Sequence, residues 1–110
     1  MRLEATVINC LCVIQEGQAP DQRRDQLGAA LGRFAEEHLG AGAEISWLPV
    51  AAGNGFTAGE PSTASVISLT ALEPLEQSQR EALLRQLVAL WTGETGCSVD
   101  DVVAVISDPA

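Results

Sequence analysis

The 110 residues contain no lysine, no tyrosine, one histidine and three cysteines. Without lysine, the six basic residues are all arginine, and they face fifteen acids for a net charge of −9. An acidic chain with no basic cluster is a poor match for nucleic acid or for an anionic membrane, because both select positive charge. The absence of tyrosine removes one kind of proton donor from any active site. An odd number of cysteines, Cys10, Cys12 and Cys97, in apolar or turn contexts points to reduced thiols rather than a disulfide framework, as in a cytoplasm. No apolar run is long enough to span a bilayer, and the opening MRLEATVINCLCVI lacks the small-residue cleavage site of a signal peptide.

What is present describes one folded domain over residues 1–110. Apolar residues make up 46% of the chain and charged residues 19%, which argues against disorder. The centre is Ala43–Leu72, read as two strands around a glycine-rich loop. Ile45, Trp47 and Val50 mark the incoming strand, and Val66, Ile67 and Leu69 the outgoing one. Gly53-Asn54-Gly55 and Gly59-Glu60-Pro61-Ser62 supply two turn signals between them.

On either side of this centre stand one strand and one helix. Leu3–Ile14 reads as a strand with Val7, Leu11 and Val13 on one face and Ile8, Cys10, Cys12 and Ile14 on the other. Apolar residues on both faces predict a strand covered on two sides. Pro20 opens a helix whose stripe is Leu27, Ala30, Leu31, Phe34 and Ala35, ending near Gly40 or Gly42. Gly28 and Gly32, one turn apart, are expected to allow close packing of this helix on the sheet. A second helix begins at Glu76 or Ser78 with a stripe of Leu83, Leu84, Leu87, Val88 and Trp91. Gly93–Ser98 reads as a loop and Val102–Ile106 as the last strand.

The halves, about 1–52 and 60–110, align on their helices: Arg23 on Arg80, Leu27 on Leu84, Leu31 on Val88 and Phe34 on Trp91. Two tandem βαβ units predict an α/β (α+β) fold, a four-stranded mixed sheet with both helices on one face. The other face would then expose apolar side chains, so an oligomer is expected.

Several residues could carry chemistry. Glu73 and Glu76 are spaced as a possible acid/base pair, or as a solvated helix start. Asn54, Phe56, Thr57 and Glu60, with Ser62 and Thr63, gather on the central loop and could line a ligand pocket. His38 sits at the end of the first helix, beside Glu36 and Glu37, where a surface histidine is favoured by the helix dipole. Cys10 and Cys12 are two apart, not in a CxxC spacing, and no second ligand pair accompanies them, so neither a metal nor a cofactor is expected.

The tandem βαβ layout, together with Pro49–Phe56 (PVAAGNGF) running on into Ser65–Leu69, resembles the tautomerase superfamily. Its longer members, around cis-3-chloroacrylic acid dehalogenase and macrophage migration inhibitory factor, are the nearest in layout. The resemblance implies a homotrimer, or a hetero-oligomer with a paralogue, and a cofactor-free isomerase or lyase. It also implies an N-terminal proline as proton-transfer base, yet this chain begins Met1-Arg2. Aligned on the first helix, that proline falls near Val7. The arginines that hold carboxylates in the dehalogenase-like members fall on Glu73 and Glu76, and an active-site histidine on Phe34. The resemblance therefore implies the fold without the usual keto–enol chemistry, leaving a small-molecule-binding role. A divergent enzyme using the amine of Met1, Arg2, or Glu73 and Glu76 is the first alternative. A ferredoxin-like ligand-sensing module of order β-α-β-β-α-β is the second.

Overall fold

A computed structural model describes residues 7–17 and 21–109. Its elements are β1 (Val7–Gln15), α1 (Asp21–Leu39), β2 (Gly42–Val50), β3 (Phe56–Thr57), β4 (Glu60–Pro61), β5 (Ser65–Thr70), α2 (Gln77–Thr95) and β6 (Val102–Ser107). The main sheet has the order β2-β1-β5-β6, and β3 and β4 form a separate small ribbon. β1 runs parallel to β2, with Cys10 opposite Ile45, and β5 runs parallel to β6, with Ser65 opposite Val102. β1 and β5 are antiparallel, joined through Cys10–Leu69, Leu11–Ser68, Cys12–Ile67 and Val13–Val66.

This is the expected mixed sheet built from two βαβ units. Each unit is unsplit, because the strands that flank a helix pair directly with each other. A ferredoxin-like module needs a strand inserted between them, so that alternative is excluded.

Alternation explains the core. Successive strand side chains point to opposite faces, and in β1 Ile8, Cys10, Cys12 and Ile14 are buried while Val7 and Leu11 are exposed. The buried set joins Ile67 and Leu69 of β5, Ile106 of β6, and both helix stripes in one cluster. Leu27, Ala30, Leu31, Phe34 and Ala35 of α1 are buried as the spacing predicts, as are Leu83, Leu87 and Trp91 of α2. Both helices therefore cover the same face of the sheet. On the other face Leu11 is 42% exposed, Leu48 51% and Val103 52%.

The boundaries show where local rules yielded. Gly93 lies inside α2, not in a loop, because the helix continues to Thr95 and stops at Gly96, whose φ of 75° gives a left-handed cap with its N–H donating to the Thr92 carbonyl. α1 likewise stops before Gly40, at φ 79°. The strand reading of residues 3–6 lies outside the described residues, as does the placement of Pro20 in a helical turn.

The helix repeat is not matched strand for strand. Leu27 corresponds to Leu84, but thirty-five residues separate the paired Cys10 and Ile45, and thirty-seven the paired Ser65 and Val102. The second crossover is thus longer by a short turn of 3-10 helix, Val99–Asp101, which the Ser98 side chain caps by accepting from the Asp100 N–H.

The glycine pair in α1 does not have the packing role expected of it. A Cβ at Gly32 would meet nothing within 4 Å, and one at Gly28 would make an ordinary 3.6 Å contact with Ile45. Gly32→Ala should therefore stabilise the fold by about 1 kcal/mol through helix propensity alone, measured by urea unfolding. Leu87→Ala, which hollows the fully buried centre of α2, should cost about 2–5 kcal/mol in the same assay.

Candidate functional site

The strand directions separate the sequence's candidate residues into two groups at opposite ends of the sheet. β1 and β2 run one way, β5 and β6 the other. The loop from β2 to β5 therefore lies at one end with Asn54, Phe56, Thr57 and Glu60. The turn from β5 to α2 lies at the other, with Glu73 and Glu76. Within one chain these groups cannot share a site.

At the second end a cleft of about 440 Å³ opens between the C-terminus of α1 and the β5–α2 turn. It is lined by His38, Leu39 and Gly40 on one side and by residues 71–75 and Gln79 on the other. Its volume falls within the usual range for small-molecule pockets, about 300–1,000 Å³. Glu73 is one of the lining residues and Glu76 is not. Glu76 is instead the N-cap residue of α2, in extended conformation and without a side-chain capping bond. The two carboxylates thus have different surroundings.

The cleft flanks the start of β1. Val7 pairs with Gly42, two residues beyond Gly40. The antiparallel register that sets Cys10 against Leu69 runs back towards Val7 and Leu72. This is where alignment on the first helix placed the superfamily's proline. Met1 and Arg2 lie outside the described residues.

His38, which by sequence reads as a surface histidine, lines this cleft. Its side chain is 31% exposed. The ring lies 4.9 Å from that of Phe34, tilted by 55°, and Nε2 is 4.0 Å from a Glu37 carboxylate oxygen. The signal was its position: the last turn of a helix that ends against the β5–α2 turn. Only the tertiary arrangement made that turn its neighbour.

One wall of the cleft is held by Arg80, on the first turns of α2. Its guanidinium donates to the carbonyls of Ile106 (2.8 Å) and Leu75 (3.1 Å) and to Asp108 Oδ1 (2.8 Å). Asp108 also accepts from the Leu75 N–H at 3.1 Å. That amide, and then the Arg80 guanidinium, hold the Asp108 carboxyl below the usual carboxylate range. Arg23, its partner in the repeat, does different work, donating to the carbonyl of Glu94 near the end of α2.

At the opposite end, the hydroxyls of the central loop hold the loop in place. Thr57 Oγ1 donates to Ser62 Oγ at 2.6 Å, which also accepts from the Ala64 N–H, and the Ser62 N–H donates to the Gly55 carbonyl. Thr63 ties the loop to Asp101 at 2.9 Å. The second turn is centred on Ala58-Gly59, a residue earlier than the glycine and proline pattern suggested, with φ of 53° and 80°. Two left-handed residues match the twist of a tight hairpin, and alanine is a weak sequence signal for one. Phe56, on this ribbon, is 65% exposed.

The cysteine pair is part of the core. Cys10 Sγ and Cys12 Sγ are 3.8 Å apart and both residues are buried. Their shared contact, with burial, pushes the Cys12 thiol well above its ordinary range. Among the described residues no group of three or more His, Cys, Asp or Glu side chains is placed to hold a metal ion. No helix among them is long and apolar enough to cross a membrane.

No family model matches the sequence, and no curated protein matches it significantly. The fold does match solved structures. A fused 4-OT symmetric trimer superposes with a TM-score of 0.79 at 19% identity, over 94% of this chain and 85% of that one. N1, a member of the cis-3-chloroacrylic acid dehalogenase family, gives 0.80 at 15% identity over 92% and 74%. Leishmania major MIF2 gives 0.74 at 15% identity over 96% and 91%. The chain shares the fold of these structures, the fold that the layout of its sequence implied.

The Asp108 contacts set an acid limit. Because its folded-state pKa is lowered, their contribution to stability is fully present above the ordinary aspartate value of about 3.9 and is lost as pH falls through the folded value. Thermal unfolding followed from pH 6 to pH 2 should show Asp108→Asn less stable than wild type at pH 6, with the difference shrinking at the acid end.

Proposed function

We propose that this chain is a tautomerase-fold subunit of a trimer that binds a small uncharged or cationic molecule at the start of β1, without the superfamily's proline-based proton transfer. The observation that carries this reading is the cleft itself. It lies beside the start of β1 and is lined by a carboxylate, an imidazole, an amide and leucine side chains, with no arginine among the described residues that line it. A carboxylate substrate would meet Glu73 where a positive clamp is needed.

The trimer is supported by the bare face of the sheet. Leu11, Leu48, Val103 and Val105 are exposed there together, and apolar patches of this kind mark interfaces. One structural neighbour is itself a symmetric trimer. Light scattering should give three times the 11.5 kDa chain mass. Leu11→Glu should shift it to one chain; an unshifted trimer would mean that another surface holds the assembly.

A second reading has its own observation: Glu73 and His38 line the same cleft. A carboxylate and an imidazole facing one pocket can act as acid and base, and such pairs typically contribute 10²–10⁴-fold to a rate. Enol–keto conversion of phenylpyruvate, run beside a proline-bearing control, decides between the two. The binding role predicts conversion at the buffer rate. Turnover above that rate, lost in both Glu73→Gln and His38→Gln, would establish the enzyme instead.

A further inference from the structure

The charge balance around the cleft determines what it can hold. Two helix ends meet there. The C-terminus of α1 contributes Leu39 and Gly40 to one wall, and the last carbonyls of a helix carry about half a negative charge. The N-terminus of α2 begins at Gln77, beside Leu75 and Gln79 on the other wall, and contributes about half a positive charge. These partial charges oppose each other across the cleft and largely cancel.

The full charges then decide. Arg80 on the α2 side is paired with Asp108 and bound to two carbonyls, so that pair adds no net charge. Glu37 faces His38 at 4.0 Å from within α1. Glu73 on the β5–α2 turn lines the cleft directly, alongside Ala71, Leu72 and Pro74, and no arginine is among the described residues that line it. A mixed cleft with leucine side chains on both walls and, among the described lining residues, one carboxylate at its rim suits a small body that joins an apolar part to one positive charge.

We propose that the cleft takes an organic ammonium ion, with Glu73 as its counter-charge and Leu39, Leu72 and Leu75 against its apolar part. This rests on the proposed binding cleft and narrows its ligand class. Glu73 is exposed, so the charge should select modestly. Ion pairs in water are worth at most about 1 kcal/mol, which corresponds to a preference of about two- to five-fold.

The test uses three probes of similar shape, benzylammonium, benzyl alcohol and benzoate, titrated into the full-length protein at low salt. Amide shifts of Gly40 and Leu72 report occupancy. Benzylammonium should bind about two- to five-fold more tightly than benzyl alcohol, and benzoate more weakly than either. Glu73→Gln should erase the preference of ammonium over alcohol, and so should high salt, which screens exposed charges. Equal binding of ammonium and alcohol, tighter binding of benzoate, or a preference that survives in Glu73→Gln would overturn the ligand class while leaving the cleft as a binding site. If no probe shifts either amide in the folded protein, the cleft reading falls and this inference with it.

Discussion

The antiparallel ladder between β1 and β5 is the contact on which the rest of the molecule depends. It joins two βαβ units whose internal pairings are parallel, and its four residue pairs centre on the core. Each unit alone would leave a strand edge and a helix flank exposed to water. Joined along this ladder, they bring α1 and α2 side by side over one continuous apolar surface. A slip of one residue would turn Ile8, Cys10, Cys12 and Ile14 towards solvent and reverse the whole pattern. The register is therefore fixed by burial, not by the ladder hydrogen bonds alone.

The same ladder determines where chemistry can occur. Because β5 runs against β1, the end of α1, the start of β1 and the β5–α2 turn all arrive at one end of the sheet. Arg80 then staples that turn to the last strand through Ile106 and Asp108. The result is a rigid wall facing a helix terminus, with a cleft between them. The glycine-rich loop, with its polar residues, is sent to the far end, where Thr57 and Ser62 bond to each other and Thr63 to Asp101.

The superposable structures share the layout over most of their length, while the cleft of this chain carries an acid and an imidazole. A scaffold of packed strands and helices tolerates such exchange because its stability comes from the buried stripes, which do not extend to the rim. Residues at the rim are free to vary as long as Leu27, Leu31, Leu87 and Trp91 still fill the core. Trp91 shows the limit of that tolerance. Its ring is fully buried against Trp47, with its Nε1 lacking a partner among the described residues, which marks shape as its contribution.

The period of the apolar residues was enough to determine the elements. Both helix stripes, the inward face of β1, and the stop at Gly40 could be read directly, because each depends on neighbours within one or two turns. The doubling of the chain likewise announced two βαβ units and a one-sided sheet. α2 runs past Gly93, where the local pattern reads as a loop, since a glycine can sit inside a helix when a better cap, Gly96, follows. The second turn falls one residue earlier than its glycine and proline signal, because it uses Ala58, and alanine seldom adopts positive φ. The tertiary structure alone decided that Glu73 and His38 meet in one cleft, that Glu76 stays outside it, and that the central loop stands apart. The reason is physical. Residues thirty-five apart in sequence become neighbours only when strand direction and register are set, and those follow from how the two halves bury their apolar faces together.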